Sequence, residues 1–300
     1  MATSAPPAWR QQQAEAVLRH LELLITRRLD GMLHGNYLGL MPGPGSEQGE
    51  SREYHPGDDV RRMDWPVTAR TTVPHIRETE ADRELETWVV YDASASLDFG
   101  TALCEKRDLA LAGMAAMVFL TVGGGNRIGA MVTGGHRIPP RAGRQAGRAL
   151  LQRVASLGER GLGGGSLGEV VDGLRRLPRR RGLAVVISDF VGDLSWEEPI
   201  RSLGTVQQVL AIEVVDPRDL DLPNVGLLRL VDPESGRQLE VQTANPAVRE
   251  QYAEAARRQR AQIAAGLRRA RAAHLQLRTD RDWLLDIVRF VGYQRRRRLL

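Results

Sequence analysis

Residues Val89 to Ser96 read Val-Val-Tyr-Asp-Ala-Ser-Ala-Ser, and the fold is decided by how that stretch is read. An apolar run ends in a carboxylate, and hydroxyls follow at two-residue intervals, giving Asp92, Ser94 and Ser96. Side chains at i, i+2 and i+4 of an extended segment point the same way. One carboxylate and two hydroxyls therefore converge just beyond a strand. Such hard oxygen donors carry too little charge for a closed cage, and they suit a small divalent cation such as Mg²⁺ or Mn²⁺.

C-terminal to that point the pattern alternates. Leu85 to Tyr91 reads as a strand and Ala102 to Val122 as a helix. Arg127 to Thr133 is the next strand, and Gly134-Gly135 turns into a short edge strand at Arg137 to Pro139. Helical runs follow at Gly143 to Leu157 and Leu167 to Leu177. Leu183 to Ile187 is continuously apolar, the mark of a strand buried on both faces. Trp196 to Leu203 reads as helix and Gln207 to Val214 as another buried strand. Two short strands, near Gly226 to Leu230 and Gln238 to Val241, flank a turn at Ser235-Gly236. Asn245-Pro246 supplies a cap and a first-turn proline for a long helix to about Ala272. His274 to Arg278 and Trp283 to Val291 add a last strand and helix. Alternation of this kind predicts an α/β fold with a doubly wound, mostly parallel sheet.

N-terminal to the alternation the character differs. Ala14, Val17, Leu18, Leu21, Leu24, Ile25 and Leu29 recur at helical spacing, with Gly31 as a stop. From Met32 to about Asp82 the chain carries glycine, proline and charge without a long period. There Asp58 or Asp59 is expected to cap a short helix through Trp65. Three segments result: a helical and irregular extension over 1–82, the alternating domain over 83–294, and a basic tail over 295–300. The apolar stripe needs a cover and Trp65 is a large group to leave in water, so the extension is expected to pack on the domain.

Composition narrows the function classes. The chain has 300 residues, enough for one large domain, and its 42% hydrophobic content supports a packed core. Its one cysteine, Cys104, excludes a disulfide framework and a cysteine-rich zinc site, so the natural expectation is a reducing, cytoplasmic setting. Formal charge is +5, yet nearly all the positive charge is arginine, with Lys106 the only lysine. The basic stretches at Arg175 to Arg181, Arg257 to Arg260, Arg268 to Arg271 and Arg295 to Arg298 are not interleaved with aromatics. They read as solvated surface rather than a nucleic-acid footprint. The start, Met-Ala-Thr-Ser-Ala-Pro-Pro, has neither the basic nor the apolar region of a secretory signal. Leu109 to Val122 falls short of the roughly 20 apolar residues of a membrane span.

In doubly wound sheets, ligands bind beyond the carboxyl ends of the strands where strand order reverses. Asp92 leaves the first core strand at such an end. Ser166 follows Gly163-Gly164-Gly165 at a helix start, and Asp189 follows the strand Ala184 to Ile187. Taken singly, Ser166 is as well explained as a helix cap and Asp189 as a turn residue. Together with Asp92, Ser94 and Ser96 they resemble the metal-ion-dependent adhesion site of von Willebrand factor A domains. The wider chain, from about His34 to Phe290, resembles domain of unknown function family 58. That family's N-terminal mark stands here as Tyr54-x-Pro56-Gly57-Asp58-Asp59-x-Arg61-x-x-Asp64-Trp65, followed by Ala69-Arg70.

The resemblance implies a von Willebrand factor A-like fold in which Asp92, Ser94, Ser96, Ser166 and Asp189 surround Mg²⁺ or Mn²⁺. It further implies that one coordination position stays open for a carboxylate from a partner protein. The implied partner is an AAA+ ATPase of the MoxR type. Serine at 166 replaces the commoner threonine and loses the methyl group that fixes its rotamer.

Other motifs are weaker. Gly163 to Gly168 fits G-x-G-x-x-G, but a helical stretch precedes it rather than a strand, and no P-loop exists. Ser94 stands where an aspartyl-phosphate phosphatase needs a second aspartate. The histidines show no metal-ligand spacing, and no nucleophile elbow is present. Arg61, Asp64, Trp65 and Arg70 are expected to form a structural ion-pair and packing cluster. The sequence therefore points to a non-enzymatic, metal-dependent protein-binding module. A Mg²⁺-dependent hydrolase at the same rim and arginine-mediated nucleic-acid binding are the alternatives.

Overall fold

The computed structural model describes residues 51–55, 60, 63–77, 86–122, 126–158, 165–177, 182–233 and 236–298. In chain order the first elements are β1 (Ser51–Glu53), α1 (Trp65–Thr71), β2 (His75–Arg77) and β3 (Glu86–Tyr91). They are followed by α2 (Lys106–Val122), β4 (Arg127–Val132), β5 (His136–Ala142), α3 (Arg144–Gly158) and α4 (Leu167–Arg175). Next come β6 (Gly182–Ser188), α5 (Glu197–Leu203), β7 (Gln208–Val215), β8 (Leu227–Val231) and β9 (Gln238–Gln242). The last are α6 (Pro246–Arg269), β10 (Ala273–Arg278) and α7 (Trp283–Arg298).

Every residue of β3 is buried, as a strand with neighbours on both sides must be. It pairs in parallel with β4 on one side and β6 on the other, within a six-stranded sheet ordered β10-β7-β6-β3-β4-β5. Only β5 runs antiparallel. As the edge strand it tolerates Pro139 and Pro140, since a missing N–H costs nothing where no neighbour accepts it. Gly182 opens β6 where only a glycine fits, because a Cβ there would lie 1.8 Å from the Glu86 carbonyl oxygen.

Alternation along the buried strands feeds two cores. Val89 and Tyr91 of β3, with Val185 and Ile187 of β6, face α2, α3 and α7. Trp88, Val90, Ala184 and Val186 face α4, α5 and α6. The fold is thus α/β and doubly wound, as the residue pattern predicts. Helix α2 is apolar on nearly all sides and lies in the first core. Among the described residues no helix is long and apolar enough to cross a membrane.

Some expectations change. Helix α1 begins at Trp65 rather than ending there. Asp64, buried, caps it by accepting the Val67 N–H at 3.3 Å. Asp58 and Asp59 lie outside the described residues, as do Arg61 and the apolar-striped segment from Ala14 to Leu29. Trp65 is 67% exposed and Arg70 is also exposed, so among the described residues the tryptophan is not packed into a cluster with Asp64 and Arg70. The ordering element is instead polar. β1 and β2 pair antiparallel, Asp64 N–H reaches the His75 carbonyl at 2.7 Å, and His75 N–H reaches Thr68 Oγ1 at 2.9 Å. Helix α7 continues through Arg298 instead of ending near Val291, so the terminal arginine run prolongs a helix.

Candidate functional site

Strand order reverses beside β3: the chain moves outward to β4 and β5, then returns to place β6 on the other side of β3. The loops leaving β3 and β6 diverge there. Both ladders extend one residue beyond the strands, because Asp92 N–H donates to the Ile187 carbonyl at 3.0 Å and Thr133 N–H to that of Tyr91 at 3.1 Å. Asp92 is thereby seated between the ends of β4 and β6.

From that seat the loop after β3 folds on itself. Asp92 Oδ1 accepts the Ser94 N–H at 2.9 Å, and residues Ala95–Leu97 form a single 3₁₀ turn. The turn brings the Ser94 and Ser96 hydroxyls within 3.0 Å of each other. Asp92, Ser94 and Ser96 thus converge, but through a turn rather than a continuing strand.

Two groups that the sequence pattern did not single out hold this turn in place. Thr133, fully buried, accepts the Ala93 N–H on Oγ1 at 2.8 Å. Ser188 donates its hydroxyl to Asp92 Oδ2 at 2.6 Å and accepts the Phe190 N–H at 2.9 Å. A hydroxyl closing each flanking strand was their only signal in the sequence. Burial raises the Asp92 carboxyl above its ordinary range. The Ser188 bond opposes that rise, and the nearby Asp189 charge reinforces it.

Asp189 follows Ser188 and is buried, but its oxygens are already engaged. Oδ1 accepts the Val191 N–H at 3.1 Å, and Oδ2 accepts from Lys106 Nζ at 2.9 Å. Lys106 is itself buried, with Asp219 Oδ2 at 3.4 Å as a second partner. Its signal in the sequence was being the only lysine in an arginine-rich chain. Ser166 caps α4. Its Oγ accepts the Glu169 N–H at 3.2 Å, and Glu169 Oε2 in turn accepts the Ser166 N–H at 3.4 Å. A Cβ on the neighbouring Gly165 would lie 3.9 Å from Gly134 N, so this cap sits against the loop that carries Thr133.

Behind the rim lies a second buried layer. Glu213 of β7 accepts from Arg260 Nη1 at 2.8 Å and Gln276 Nε2 at 3.0 Å, and its other contact is His274 Nε2 at 2.8 Å. Burial pushes the Glu213 carboxyl up, but these partners outweigh it and hold the group below its ordinary value. Arg260 also donates to the Asp189 carbonyl at 3.0 Å, joining the two layers. Asp216, at the end of β7, takes bonds from both Thr101 and Thr279, tying the loop after β3 to β10.

The donor chemistry fits a hard divalent ion at Asp92, Ser94 and Ser96, where oxygen atoms alone converge. Among the described residues no group of three or more His, Cys, Asp or Glu has metal-holding geometry, so an ion here would depend on hydroxyls. Asp189 fits less simply, because a cationic side chain already holds it. Asp92 accepts from the Ser94 N–H and the Ser188 hydroxyl, and Asp189 from Lys106 and the Val191 N–H, so each carboxylate is already engaged with donors of the protein.

A family model described as "Protein of unknown function DUF58" matches residues 50–262. The chain is 56% identical over 285 residues to "Uncharacterized protein Rv1480" of Mycobacterium tuberculosis (strain ATCC 25618 / H37Rv), covering 94% of this chain and 90% of that protein. Identity and coverage are the same for "Uncharacterized protein Mb1516" of Mycobacterium bovis. Among solved structures it is similar to the conserved hypothetical protein BatB from Bacteroides thetaiotaomicron. There the identity is 13% and the TM-score 0.43, over 71% of this chain and 99% of that one. A von Willebrand factor type A from Catenulispora acidiphila matches at 13% identity and a TM-score of 0.36, over 74% of this chain and 43% of that one.

Proposed function

This chain belongs to the DUF58 family, and from that premise we propose that it is a non-enzymatic, divalent-ion-dependent protein-interaction module. The observation that carries the reading is the turn after β3, which brings the Asp92 carboxylate and the Ser94 and Ser96 hydroxyls together where strand order reverses. Asp92, Ser94 and Ser96 would hold Mg²⁺ or Mn²⁺, with Ser166 and Asp189 at its margin. When bound, the ion would supply an electrophilic open position to an acidic side chain of the partner. Phe99 and Leu103 on the loop after β3, and Val191 and Leu194 on the loop after β6, are exposed apolar side chains on the same two loops that carry this polar centre. A polar anchor among apolar contacts suits a protein ligand. The partner class we propose is the MoxR-type AAA+ ATPase, acting in the cytoplasm to assemble or activate other complexes.

The arginine-rich stretches support this reading over nucleic-acid binding, because many of them are spent on internal ion pairs. Arg175 and Arg176 pair with Asp172, Arg257 and Arg258 with Glu254, and Arg269 with Glu197. Arg260, expected at the surface, is half-buried and paired with Glu213.

Calorimetric titration with Mn²⁺ tests the ion site: the wild type should bind one ion weakly, and Asp92→Ala and Ser94→Ala should not. Equal binding by the wild type and both variants would remove the assignment. Capture of a MoxR-type ATPase should fall on chelation and in Ser94→Ala. Capture that survives chelation but fails at moderate salt would point to the arginines instead.

A further inference from the structure

The one lysine of this chain is not at its surface. Arginine supplies every other one of its 42 basic side chains outside histidine, yet the group set against Asp189 is an ammonium. Lys106 opens α2 and is 3% exposed, with its Nζ 2.9 Å from Asp189 and 3.4 Å from Asp219. It also lies 5.7 Å from the ring centroid of Phe99, on the loop that carries Ser94 and Ser96. A compact point charge on a flexible stem can change partners within such a space, whereas a planar guanidinium fork cannot turn as freely.

The carboxylates at this end of the sheet share their cations. Lys106 contacts Asp189 and Asp219, and Arg260 contacts Glu213 and Asp219. The carboxylate that the ion would need beside Asp92 is the one Lys106 holds. A fixed ammonium next to an ion site both occupies a ligand and repels the ion, and both effects are strong where water is excluded.

We propose that Lys106 is a resident counter-cation that competes with the divalent ion for Asp189, so that ion binding requires the ammonium to pass from Asp189 to Asp219. The inference rests on the reading of Asp92, Ser94 and Ser96 as an ion site, and it concerns how that site is regulated. Asp219 is the reason the exchange is feasible, since the displaced ammonium keeps a carboxylate partner and is never left buried alone. Phe99 couples the exchange to the surface. Its ring lies over the ammonium and is itself partly exposed, so movement of Lys106 alters the loop that a partner protein would touch.

The test is Mn²⁺ titration calorimetry on the full chain, comparing wild type with Lys106→Met, which keeps the stem and removes the charge. The competition predicts Mn²⁺ binding tighter by roughly tenfold or more in Lys106→Met, with the gain lost when Asp189→Asn is added. Lys106→Met alone leaves the buried Asp189 without a cation and Asp219 with Arg260 only, so the same titration is run on Lys106→Met combined with Asp219→Asn, which restores the local charge balance. That double variant should show the same gain. Thermal denaturation gives a second readout, in which Mn²⁺ should raise Tm more in either variant than in wild type. Wild-type binding as tight as in both variants, or tighter, would overturn the competition while leaving the ion site standing. Absence of Mn²⁺ binding in every protein, including both Lys106 variants, would overturn the ion site and the competition together. Tight binding in Lys106→Met that survives Asp92→Ala would place the ion elsewhere and overturn both as well.

Discussion

Glu213 is a buried acid whose partners are all visible, which makes it a clean test of the polar layer behind the rim. Arg260, His274 and Gln276 reach it from α6 and β10, and they more than offset its burial, so its carboxyl titrates below the ordinary value of 4.5. For an acid depressed in the folded state, the stabilisation is present above the unfolded value and disappears as pH falls through the folded one. Wild-type Tm should therefore drop as pH is lowered below about 4.5, and Glu213→Gln should show a flatter decline over the same range. At pH 7 the same substitution should cost about 1–3 kcal/mol by denaturant titration, because it takes from Arg260 its 2.8 Å carboxylate partner and leaves it Asp219 at 3.8 Å. A full-sized acid-dependent drop in Glu213→Gln would assign that drop to other groups. The chemistry at Asp92, Ser94 and Ser96 is legible from their two-residue spacing after an apolar run, although a 3₁₀ turn rather than strand alternation brings the three together. Ser188 and Thr133 are not, since each becomes relevant only when a parallel neighbour brings it beside Asp92.

At the scale of elements, caps and glycines carry the specific expectations. Ser166 has a structural role of its own as the cap of α4, so Ser166→Ala should lose about 1 kcal/mol of stability and Ser166→Asn should recover most of it. Denaturant midpoints for the two variants check this, and equal loss in both would mean that the hydroxyl does more than cap the helix. Two glycines should respond in opposite directions. Gly182→Ala forces a Cβ to 1.8 Å from the Glu86 carbonyl oxygen and must push β3 and β6 apart. Its expected result is a large loss of stability or insoluble protein. Gly292 in α7 meets nothing within 4 Å, so Gly292→Ala should stabilise by about 0.5–1 kcal/mol through helix propensity and chain entropy. Thermal melts of the two variants measure the contrast, and similar shifts would contradict the packing described at Gly182. The elements themselves were mostly legible, because period and punctuation agree from β3 to β10. The exception is α1, where Asp64 caps a helix that starts at Trp65, and where the aspartates at 58 and 59 were the more prominent capping candidates.

At the scale of the whole molecule, the surface charge is less available than the net charge of +5 suggests. Arginines of several basic stretches are held by acidic neighbours, so weak and steeply salt-dependent nucleic-acid binding is the expected outcome. Fluorescence anisotropy with a single-stranded and a duplex oligonucleotide measures it. Tight binding that persists at physiological salt would revive the arginine-based reading. The described surface also carries an isolated two-stranded hairpin, β8 with β9. Leu228 pairs with Val241 and Leu230 with Leu239, giving one apolar face whose Leu239 is exposed. Two strands alone are marginal in water. This hairpin was legible as two strands around a turn, but not as a separate sheet.

The sequence by itself determined the order and type of the main elements, the doubly wound class, and the placement of Asp92, Ser94 and Ser96 beyond the first core strand. Those are local properties, set by the period of apolar residues and by which residues can cap or turn the chain. Only the tertiary structure decided that strand order reverses beside β3, that Ser188 and Thr133 hold the Asp92 turn, and that Trp65 stands in water while Asp64 is buried. It alone decided that Lys106 meets Asp189 across 83 positions of sequence. Contacts of that kind depend on strand register and helix docking, which no local pattern encodes. An ammonium near a carboxylate follows from geometry, and geometry follows from how the whole sheet is assembled.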